Sequence, residues 1–295
     1  MKKQRPFPLK AFSLVEMAIV VIIISILITG IIKGSGLIRS SRLTNARSYT
    51  VKSVVPEAKG LVAWYETSMI DSFSSADAVD EAEISSWFDL NPASNIGLTK
   101  KNTLTKTASA GVKYTINGIN DIPSVVFSGG ESISLSGFFQ GSSVQNTILI
   151  VFRPTTSPSS SAQILVDSHS SGSNSSIGIK NDAISANAGL SIDTATSSNP
   201  ASLAVDTDYV LCAYMNGSSS QFYLNDATNR VGDSLINIGV NPLTGLTIGA
   251  GRTGSSPFTG MISEVIIYNS VLELQSRKDI MAYLGKKYKI SVSGI

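Results

Sequence analysis

The chain has 295 residues, only 15% of them charged, and a formal net charge of +2 at pH 7. Four of its 23 basic residues precede residue 12, so the remainder carries a formal charge of −2 and lacks the basic stripe that nucleic-acid binding requires. The single cysteine, Cys212, excludes an intrachain disulfide and lies among apolar residues, which predicts a buried small hydrophobe. Low charge with abundant Gly, Ser, Thr and Asn favours an all-β extracellular domain over a helical cytosolic enzyme.

The longest apolar run extends from Ala11 to Ile32 and contains a single charge, Glu16. About 20 apolar residues are enough for a helix to cross a bilayer. A carboxylate within such a helix costs about 2.5–3.5 kcal/mol on insertion scales, so Glu16 is a candidate functional residue. A basic leader precedes the run and contains Lys2, Lys3, Arg5 and Lys10.

The segment Ala11-Phe-Ser-Leu-Val-Glu16 resembles the N-terminus of prepilins, the precursors of type IV pilins and type II secretion pseudopilins. Like them, the chain has a basic leader, a small residue, a Phe and a Glu four residues later, although the family usually has Gly where this chain has Ala11. The resemblance implies that prepilin peptidase cuts between Ala11 and Phe12, that the Phe12 amine is methylated and that Glu16 acts in filament assembly.

The same resemblance implies a leader over 1–11, a pilin-type helix over 12–55 and a transmembrane segment over 12–32. The precursor would cross the bacterial inner membrane once, and the mature chain would join other pilin or pseudopilin subunits in an extracellular or periplasmic filament. Three alternatives stay open: a secretory signal cut near Gly34-Ser35-Gly36, a plain membrane anchor, and a buried core helix. A secretory signal has no use for Glu16, and an anchor has no need of Phe12.

The helix is predicted to continue to about Val55, because Pro56 disfavours its extension. Gly30, Gly34 and Gly36 each cost a helix about 1 kcal/mol relative to Ala, which predicts a bend or local loosening between its two halves.

Beyond Pro56, short β-rich runs alternate with Gly-, Ser-, Asn- and Pro-rich links, as is typical of a β-sandwich or jelly roll. The segment 270–288 predicts a C-terminal helix with Ser270 as its N-cap. The continuous apolar runs 147–152 and 208–216 predict central strands. The other predicted strands are 61–65, 85–90, 123–127, 132–135, 163–167, 176–180, 220–226, 246–250 and 261–268.

This region resembles the laminin-G-like (LamG) domains among the concanavalin A-like lectin/glucanase sandwiches. The resemblance covers about 60–288 and implies a mainly β head, an antiparallel sandwich, over 57–295. Its motifs identify a fold better than a ligand. The residues that follow the family's closing signature are Phe258, Gly260, Ile262, Glu264, Val265, Tyr268 and Leu272.

The resemblance implies that glucanase relatives of this fold cleave sugars with closely spaced carboxylates on one strand. Hydrolysis needs two carboxylates flanking the bond. The nearest match, Asp80, Glu81 and Glu83, precedes a strand pattern and indicates a solvated acidic loop. The lone His169 is predicted to be a satisfied or exposed loop residue, since no Cys or second His accompanies it. Gly249-Ala-Gly251-Arg-Thr-Gly254 lacks the helix that a dinucleotide fingerprint requires.

Aspartates in the predicted loops could meet around Ca²⁺, but without a recognisable ligand spacing they are interpreted as turn formers. Trp64, Tyr65 and Trp87 could stack on sugars, and their place in strand patterns favours the core instead. The aspartates are Asp167, Asp182, Asp193, Asp206, Asp208 and Asp226.

The sequence thus predicts a pilin-like filament subunit, a minor pilin or pseudopilin, whose lectin-like head binds a glycan or a protein at the cell surface. It predicts no enzymatic activity, no cofactor and no nucleic-acid partner. The alternatives are a membrane-anchored carbohydrate-binding adhesin outside any filament and, less favoured, a tethered glycosidase.

Overall fold

The computed structural model describes residues 13–94, 102–107, 111–138, 143–157, 162–169, 176–181, 188–192, 195–196, 203–236 and 242–295. The predicted cleavage junction, Ala11 and Phe12, lies outside the described residues, as do Asp182 and Asp193. Contacts between Cα atoms divide the chain into two compact units, residues 1–42 and 43–295.

Helix α1 spans Leu14–Val51 and runs through Gly34 and Gly36 without a break, so the predicted loosening there is not observed. Its first turn is closed by a capping box. The backbone N of Glu16 donates to Ser13 Oγ at 3.2 Å, and the backbone N of Ser13 donates to Glu16 Oε2 at 2.8 Å. These bonds satisfy backbone donors at the start of the helix that have no partner within it.

Large apolar side chains cover the whole circumference of α1 between Leu14 and Ile28, each at least 46% exposed. A helix that is apolar all round is ordinarily buried among other helices or in a membrane. Within the part of the chain that the structure describes, no helix meets the length and apolarity needed to span a membrane.

Among the described residues, the sandwich consists of two antiparallel sheets, each of eight strands. Sheet A has the order β14-β13-β12-β7-β16-β5-β4, with β1 also paired to β16; sheet B has the order β11-β10-β9-β8-β15-β6-β3-β2. The strands are β1 Leu61–Glu66, β2 Ser86–Trp87, β3 Leu104–Lys106, β4 Lys113–Thr115, β5 Ser124–Ser128, β6 Ile133–Leu135, β7 Asn146–Pro154, β8 Gln163–Asp167, β9 Ile177–Asn181, β10 Ala188–Ile192, β11 Ala195–Thr196, β12 Tyr209–Met215, β13 Ser220–Leu224, β14 Val231–Ile236, β15 Leu246–Ile248 and β16 Thr259–Tyr268.

The central strands of sheet A are buried on both faces. One face packs against sheet B around Phe127, Phe152 and Phe258, and the other packs against helix α2, Leu274–Tyr288. Strands with two buried faces need continuous apolar sequence, which explains why β7 and β12 show no alternation. The prediction that these runs form central strands is confirmed.

Helix α2 carries Ile280, Met281 and Leu284 onto the outer face of sheet A. Ala46, from the last turns of α1, is buried in the same cluster, so the head includes the end of that helix. The C-terminal helix was therefore predicted correctly, but its N-cap is Glu273 rather than Ser270. Glu273 makes no side-chain capping bond, which is why the sequence signal pointed to the wrong residue.

All the predicted strands are present, with ends that differ by a few residues. The sequence interpretation missed β3, β4, β10, β11 and β14. Strands β3 and β4 have three residues each and β11 has two, too short to show a period. Helix α1 ends at Val51 instead of Val55, and a 3₁₀ turn over Val55–Glu57 follows it.

Candidate functional site

A row of hydroxyl side chains crosses the outer face of sheet B. Ser86 pairs with Thr105, Thr105 with Ser134, and Ser134 with Thr247. Directly paired residues of antiparallel strands have side chains on the same face. Their neighbours Trp87, Leu104, Ile133, Leu246 and Ile248 point into the core, so the hydroxyls point away from it.

A second pair of hydroxyl side chains lies next to this row. Thr107 Oγ1 and Ser132 Oγ are 2.8 Å apart, and the same Thr107 hydroxyl donates to the Ser132 carbonyl at 2.8 Å. We call these six residues the hydroxyl patch: Ser86, Thr105, Thr107, Ser132, Ser134 and Thr247. The patch is most accessible over β3 and β6, whereas Thr247 is covered.

Asp167 continues the row, since it pairs with Thr247, and it is held by Arg252. The Arg252 side chain donates to both carboxylate oxygens, from Nη2 to Oδ1 at 2.7 Å and from Nε to Oδ2 at 3.0 Å. The backbone N of Arg252 adds a third bond to Oδ2 at 2.9 Å. A bidentate pair of this kind fixes both side chains in one geometry at the end of the hydroxyl patch.

The loop that carries Arg252 connects β15 to β16 and contains the Gly249–Gly254 sequence. It leads into a strand and not into a helix, as the sequence predicted, so it lacks the helix N-terminus of a dinucleotide site. Gly249 has φ +88°, and a Cβ there would overlap the Phe127 ring. Glycine is needed at this position for both reasons.

A second carboxylate site lies on the face of sheet A that packs against α2, away from sheet B. Lys287 Nζ is 2.5 Å from Glu66 Oε1 and 2.7 Å from Glu264 Oε2, and all three side chains are fully buried. Trp64 Nε1, Tyr283 Oη and Tyr288 Oη also donate to Glu264, at 2.7, 2.9 and 3.0 Å. Burial raises the pKa of Glu264, and the Lys287 charge opposes that rise.

These three charges, which we call the buried charge cluster, connect β1, β16 and α2. With no exposed atom in the three side chains, a substrate cannot reach the two carboxylates. The cluster therefore stabilises the attachment of α2 and is not a catalytic pair. Sequence reasoning did not identify it, although each of its residues is a charge within or beside an apolar run.

Asp89 forms a third carboxylate site. It accepts bonds from the backbone N of Trp64 at 2.7 Å and of Asn91 at 2.9 Å. Asn102 Nδ2 donates at 3.0 Å and Ser94 Oγ completes the set. Burial raises the pKa of Asp89 to about 6, and these donors oppose the rise. The donors place Asp89 in a structural role that joins the loop after β2 to β1.

The predicted core residues are confirmed, because Trp64, Tyr65 and Trp87 are at most 4% exposed. Cys212 is fully buried, and burial raises the pKa of its thiol to about 12. His169 follows β8 and is half-buried, and its Nδ1 is buried with no hydrogen-bond partner among the described residues.

The acidic residues before β2 lie on the surface and contact basic or backbone groups. Asp80 accepts the backbone N of Ile116 at 2.9 Å, Glu81 lies 3.4 Å from Lys113, and Glu83 lies 3.7 Å from Lys106.

The described aspartates that were considered as calcium ligands take part in separate interactions. Asp208 forms a bidentate pair with Arg153, at 2.5 and 2.9 Å, and Asp226 accepts the backbone N of Thr228 and of Asn229 in a turn. Within the described residues, no group of three or more His, Cys, Asp or Glu side chains is placed to hold a metal ion.

A family model described as the concanavalin A-like lectin/glucanases superfamily (Laminin_G_3) matches residues 127–276. The match covers the central strands of both sheets and the start of α2, and it does not extend to α1. No protein of curated function matches the chain by sequence.

Solved structures share the fold at low identity. Domain 4 of AbnA, a GH43 extracellular arabinanase from Geobacillus stearothermophilus, solved with arabinotriose, is 16% identical with a TM-score of 0.52; the match covers 76% of this chain and 99% of that domain. A GH54 α-L-arabinofuranosidase is 10% identical with a TM-score of 0.59, over 77% of this chain and 63% of its own. A sialidase from Trypanosoma rangeli is 15% identical with a TM-score of 0.50, over 81% of this chain and only 34% of its own.

These relatives correct one prediction. The sequence interpretation predicted no enzymatic activity and kept a tethered glycosidase only as a less favoured alternative. The solved structures that share this fold come from an arabinanase, of which one domain matches, from arabinofuranosidases and from a sialidase. The prediction failed because it looked for one carboxylate spacing within a strand, and a sandwich can bring carboxylates together from separate strands. The fold fits a carbohydrate-binding or a glycosidase domain.

Proposed function

Since this chain belongs to the concanavalin A-like lectin/glucanases superfamily, we propose that its head, residues 43–295, binds carbohydrate on the outer face of sheet B. The hydroxyl patch is the observation that carries the proposal. Its side chains lie in register over four neighbouring strands, and Asp167 adds a fifth. Strands are about 4.8 Å apart, so the row is about 19 Å long and suits an oligosaccharide better than a single sugar.

The chemistry of the patch favours a neutral glycan. Serine and threonine hydroxyls both donate and accept hydrogen bonds, as sugar hydroxyls do. At the end of the row, the charge of Arg252 is already compensated by Asp167, with which it makes bonds through both Nε and Nη2. An anionic sugar would have to compete with that carboxylate. Arabinotriose, bound in the structure of the arabinanase domain, is therefore a reasonable first probe.

A glycan array with residues 43–295 tests the proposal, followed by calorimetric titration of the best oligosaccharide. The variant Thr105→Ala/Ser134→Ala removes two accessible hydroxyls of the patch. We expect it to weaken binding about tenfold or more, since each lost hydrogen bond contributes about 0.5–1.5 kcal/mol. Ser218→Ala/Ser219→Ala, in the turn between β12 and β13 of sheet A, is the matched control. Equal affinities of the two variants, or no glycan bound at all, would contradict the proposal.

Glycoside hydrolysis is a second candidate function, and the enzymes that share the fold favour it. Hydrolysis requires two carboxylates on either side of the bond. Release of reducing ends from arabinan and arabino-oligosaccharides by the same fragment measures it. Release that stops in Asp167→Asn, but continues in Asp208→Asn, which changes the Arg153–Asp208 pair, would assign one of the two required carboxylates to Asp167 at the end of the hydroxyl patch.

For the N-terminus we propose a pilin-type segment that carries the head into a filament. Two observations support it: the Ala11-Phe12-Glu16 spacing and the exposed apolar surface around α1 between Leu14 and Ile28. Prepilin peptidase would cut at Ala11, and the precursor would be held in the inner membrane before assembly with other pilin or pseudopilin subunits. Mass spectrometry of the mature N-terminus tests this. A methylated Phe12 agrees; an intact Met1 leaves a membrane-anchored adhesin, and a start near Gly36 indicates a secretory signal.

The role of Glu16 needs a sharper test, because the capping box offers a purely structural reason for a glutamate at this position. Glutamine also completes a capping box, but it carries no charge. If Glu16 acts in assembly by meeting the charged amine of a neighbouring subunit, Glu16→Gln and Glu16→Ala should both lose filament incorporation. Normal incorporation of Glu16→Gln together with loss in Glu16→Ala would assign only the capping role.

A further inference from the structure

A groove lies along the first turns of α2, on the side of the molecule away from sheet B. Two adjoining cavities of about 490 and 220 Å³ share Glu57, Ala58 and Ser276 as lining residues. The apolar lining residues are Ala58, Val54, Val271, Leu272 and Ile280. The cavities therefore form one continuous groove, which we call the α2 groove.

The rim of the α2 groove is acidic. Glu57, Glu273 and Asp279 are exposed around it and Lys59 is the one cation among its lining residues, so the lining carries a net charge of −2. Asp279 accepts a bond from Gln275 Nε2 at 2.8 Å, which orients it without compensating its charge. A ligand for this groove needs apolar side chains for the floor and basic side chains for the rim.

The chain itself contains a segment with that chemistry. From Met17 to Pro56 there is no acidic residue, but five basic ones. Leu37 and Ile38 are 75% and 57% exposed, and Arg39 follows them directly. Arg42 lies one turn further along α1. An apolar pair followed by two arginines on one helix complements an apolar floor with an acidic rim.

We propose that the α2 groove binds the 37–42 segment of α1 from a second copy of the chain. This contact rests on the proposal that copies assemble, and it adds a specific, charge-dependent contact to the packing of the apolar helices. Such a contact discriminates between registers, because like charges placed opposite each other are repelled. It also weakens as salt is added, since the groups on its rim are exposed.

Cysteine cross-linking in the full-length chain in detergent micelles tests the contact. Ser41→Cys protein is mixed with Ser276→Cys protein and oxidised; the native Cys212 is buried and does not interfere. We expect a disulfide-linked heterodimer, and none when Ser219→Cys replaces Ser276→Cys. Glu57→Lys/Glu273→Lys in the groove protein should lower the yield about tenfold, and Arg39→Glu/Arg42→Glu in the other protein should restore it.

Light scattering on the same samples separates this contact from assembly itself. Oligomers that persist without the cross-link would overturn the groove contact and leave assembly through the apolar helices intact. Monomers throughout would overturn both. A cross-linking yield that neither charge reversal changes would show that the basic segment has another partner. So would binding of the chain to phosphatidylglycerol vesicles through Arg39 and Arg42 when no heterodimer forms. Thermal melting of each variant confirms that it is folded.

Discussion

The outer faces of the two sheets differ in how much of their surface is exposed to solvent. The outer face of sheet A is covered by α2 and the end of α1, and its charges, Glu66 and Glu264, are fully buried around Lys287. The outer face of sheet B carries hydroxyls in register and ends in the Asp167–Arg252 pair, whose arginine is partly exposed. Both faces contain a cation–carboxylate site, but only the second has a partly exposed member, Arg252, whose side chain is 17% exposed. Accessibility, and not the presence of paired charges, separates the candidate binding face from the structural one.

This difference predicts that the buried charge cluster matters for stability and the hydroxyl patch for binding. Lys287→Met should lower the free energy of unfolding by about 3–5 kcal/mol, because it leaves two carboxylates buried without their cation. Urea denaturation of residues 43–295 measures the loss. Glu66→Gln/Glu264→Gln/Lys287→Met should recover much of it, since no uncompensated charge remains. A loss below about 1 kcal/mol in Lys287→Met would show that the cluster is not structural.

The free energy of unfolding should be almost as sensitive to a substitution in the Gly249–Gly254 loop, which carries Arg252. Gly249→Ala adds a Cβ that overlaps the Phe127 ring at a backbone conformation with φ +88°. We expect a loss of about 3 kcal/mol from strain and overlap together. Gly130→Ala is the control, because nothing lies within 4 Å of its added Cβ. Similar unfolding free energies for the two variants would mean that the loop rearranges without cost.

A pH titration sharpens the comparison at a third carboxylate. The pKa of Asp89 is raised to about 6 by burial, so the folded protein binds its proton more tightly than the unfolded chain does. Its contribution to stability is therefore complete below about pH 4 and is lost as the pH rises through 6. Relative to Asp89→Asn, the wild type should gain about 2 kcal/mol between pH 7 and 4.5. A pH-independent difference between the two proteins would exclude this titration.

The smallest stability effect is expected at the proposed binding face. Thr105→Ala/Ser134→Ala changes side chains that point to solvent, so each substitution should alter the unfolding free energy by less than about 0.5 kcal/mol. Urea denaturation beside the binding assay checks this. A large loss of stability would mean that the hydroxyls hold the sheet together and would weaken their assignment to a ligand.

Much of the fold could be predicted from the sequence, because sheet A and α2 are marked by long apolar runs and a clear helical pattern. The strands that were missed lack such a signal. In β3, for example, only Leu104 is buried, and in β4 Lys113 is exposed. Hydrogen bonds to β6 and β5 determine these strands, and such pairings cannot be seen in a short window of sequence.

The candidate site was harder to predict. The hydroxyl patch gathers serines and threonines in or beside four strands, β2, β3, β6 and β15, that are far apart along the chain, and each alone is an ordinary serine or threonine. Glu264 was noted only as part of a family signature, although a charge inside the apolar run of β16 should have suggested a buried partner. Lys287 lies in a helical pattern that was identified, so the pair was within reach of the sequence.

A chemical-shift map of residues 43–295 titrated with the best array oligosaccharide tests the assignment of the two faces most directly. We predict that the largest amide shifts fall on β2, β3, β6 and β15 and on the Gly249–Gly254 loop, with none in α2. Ser134→Tyr should abolish them by filling the row, and Ser219→Tyr should leave them unchanged. Shifts confined to α2 or to the acidic loop before β2, with the patch unaffected, would contradict a binding face on sheet B.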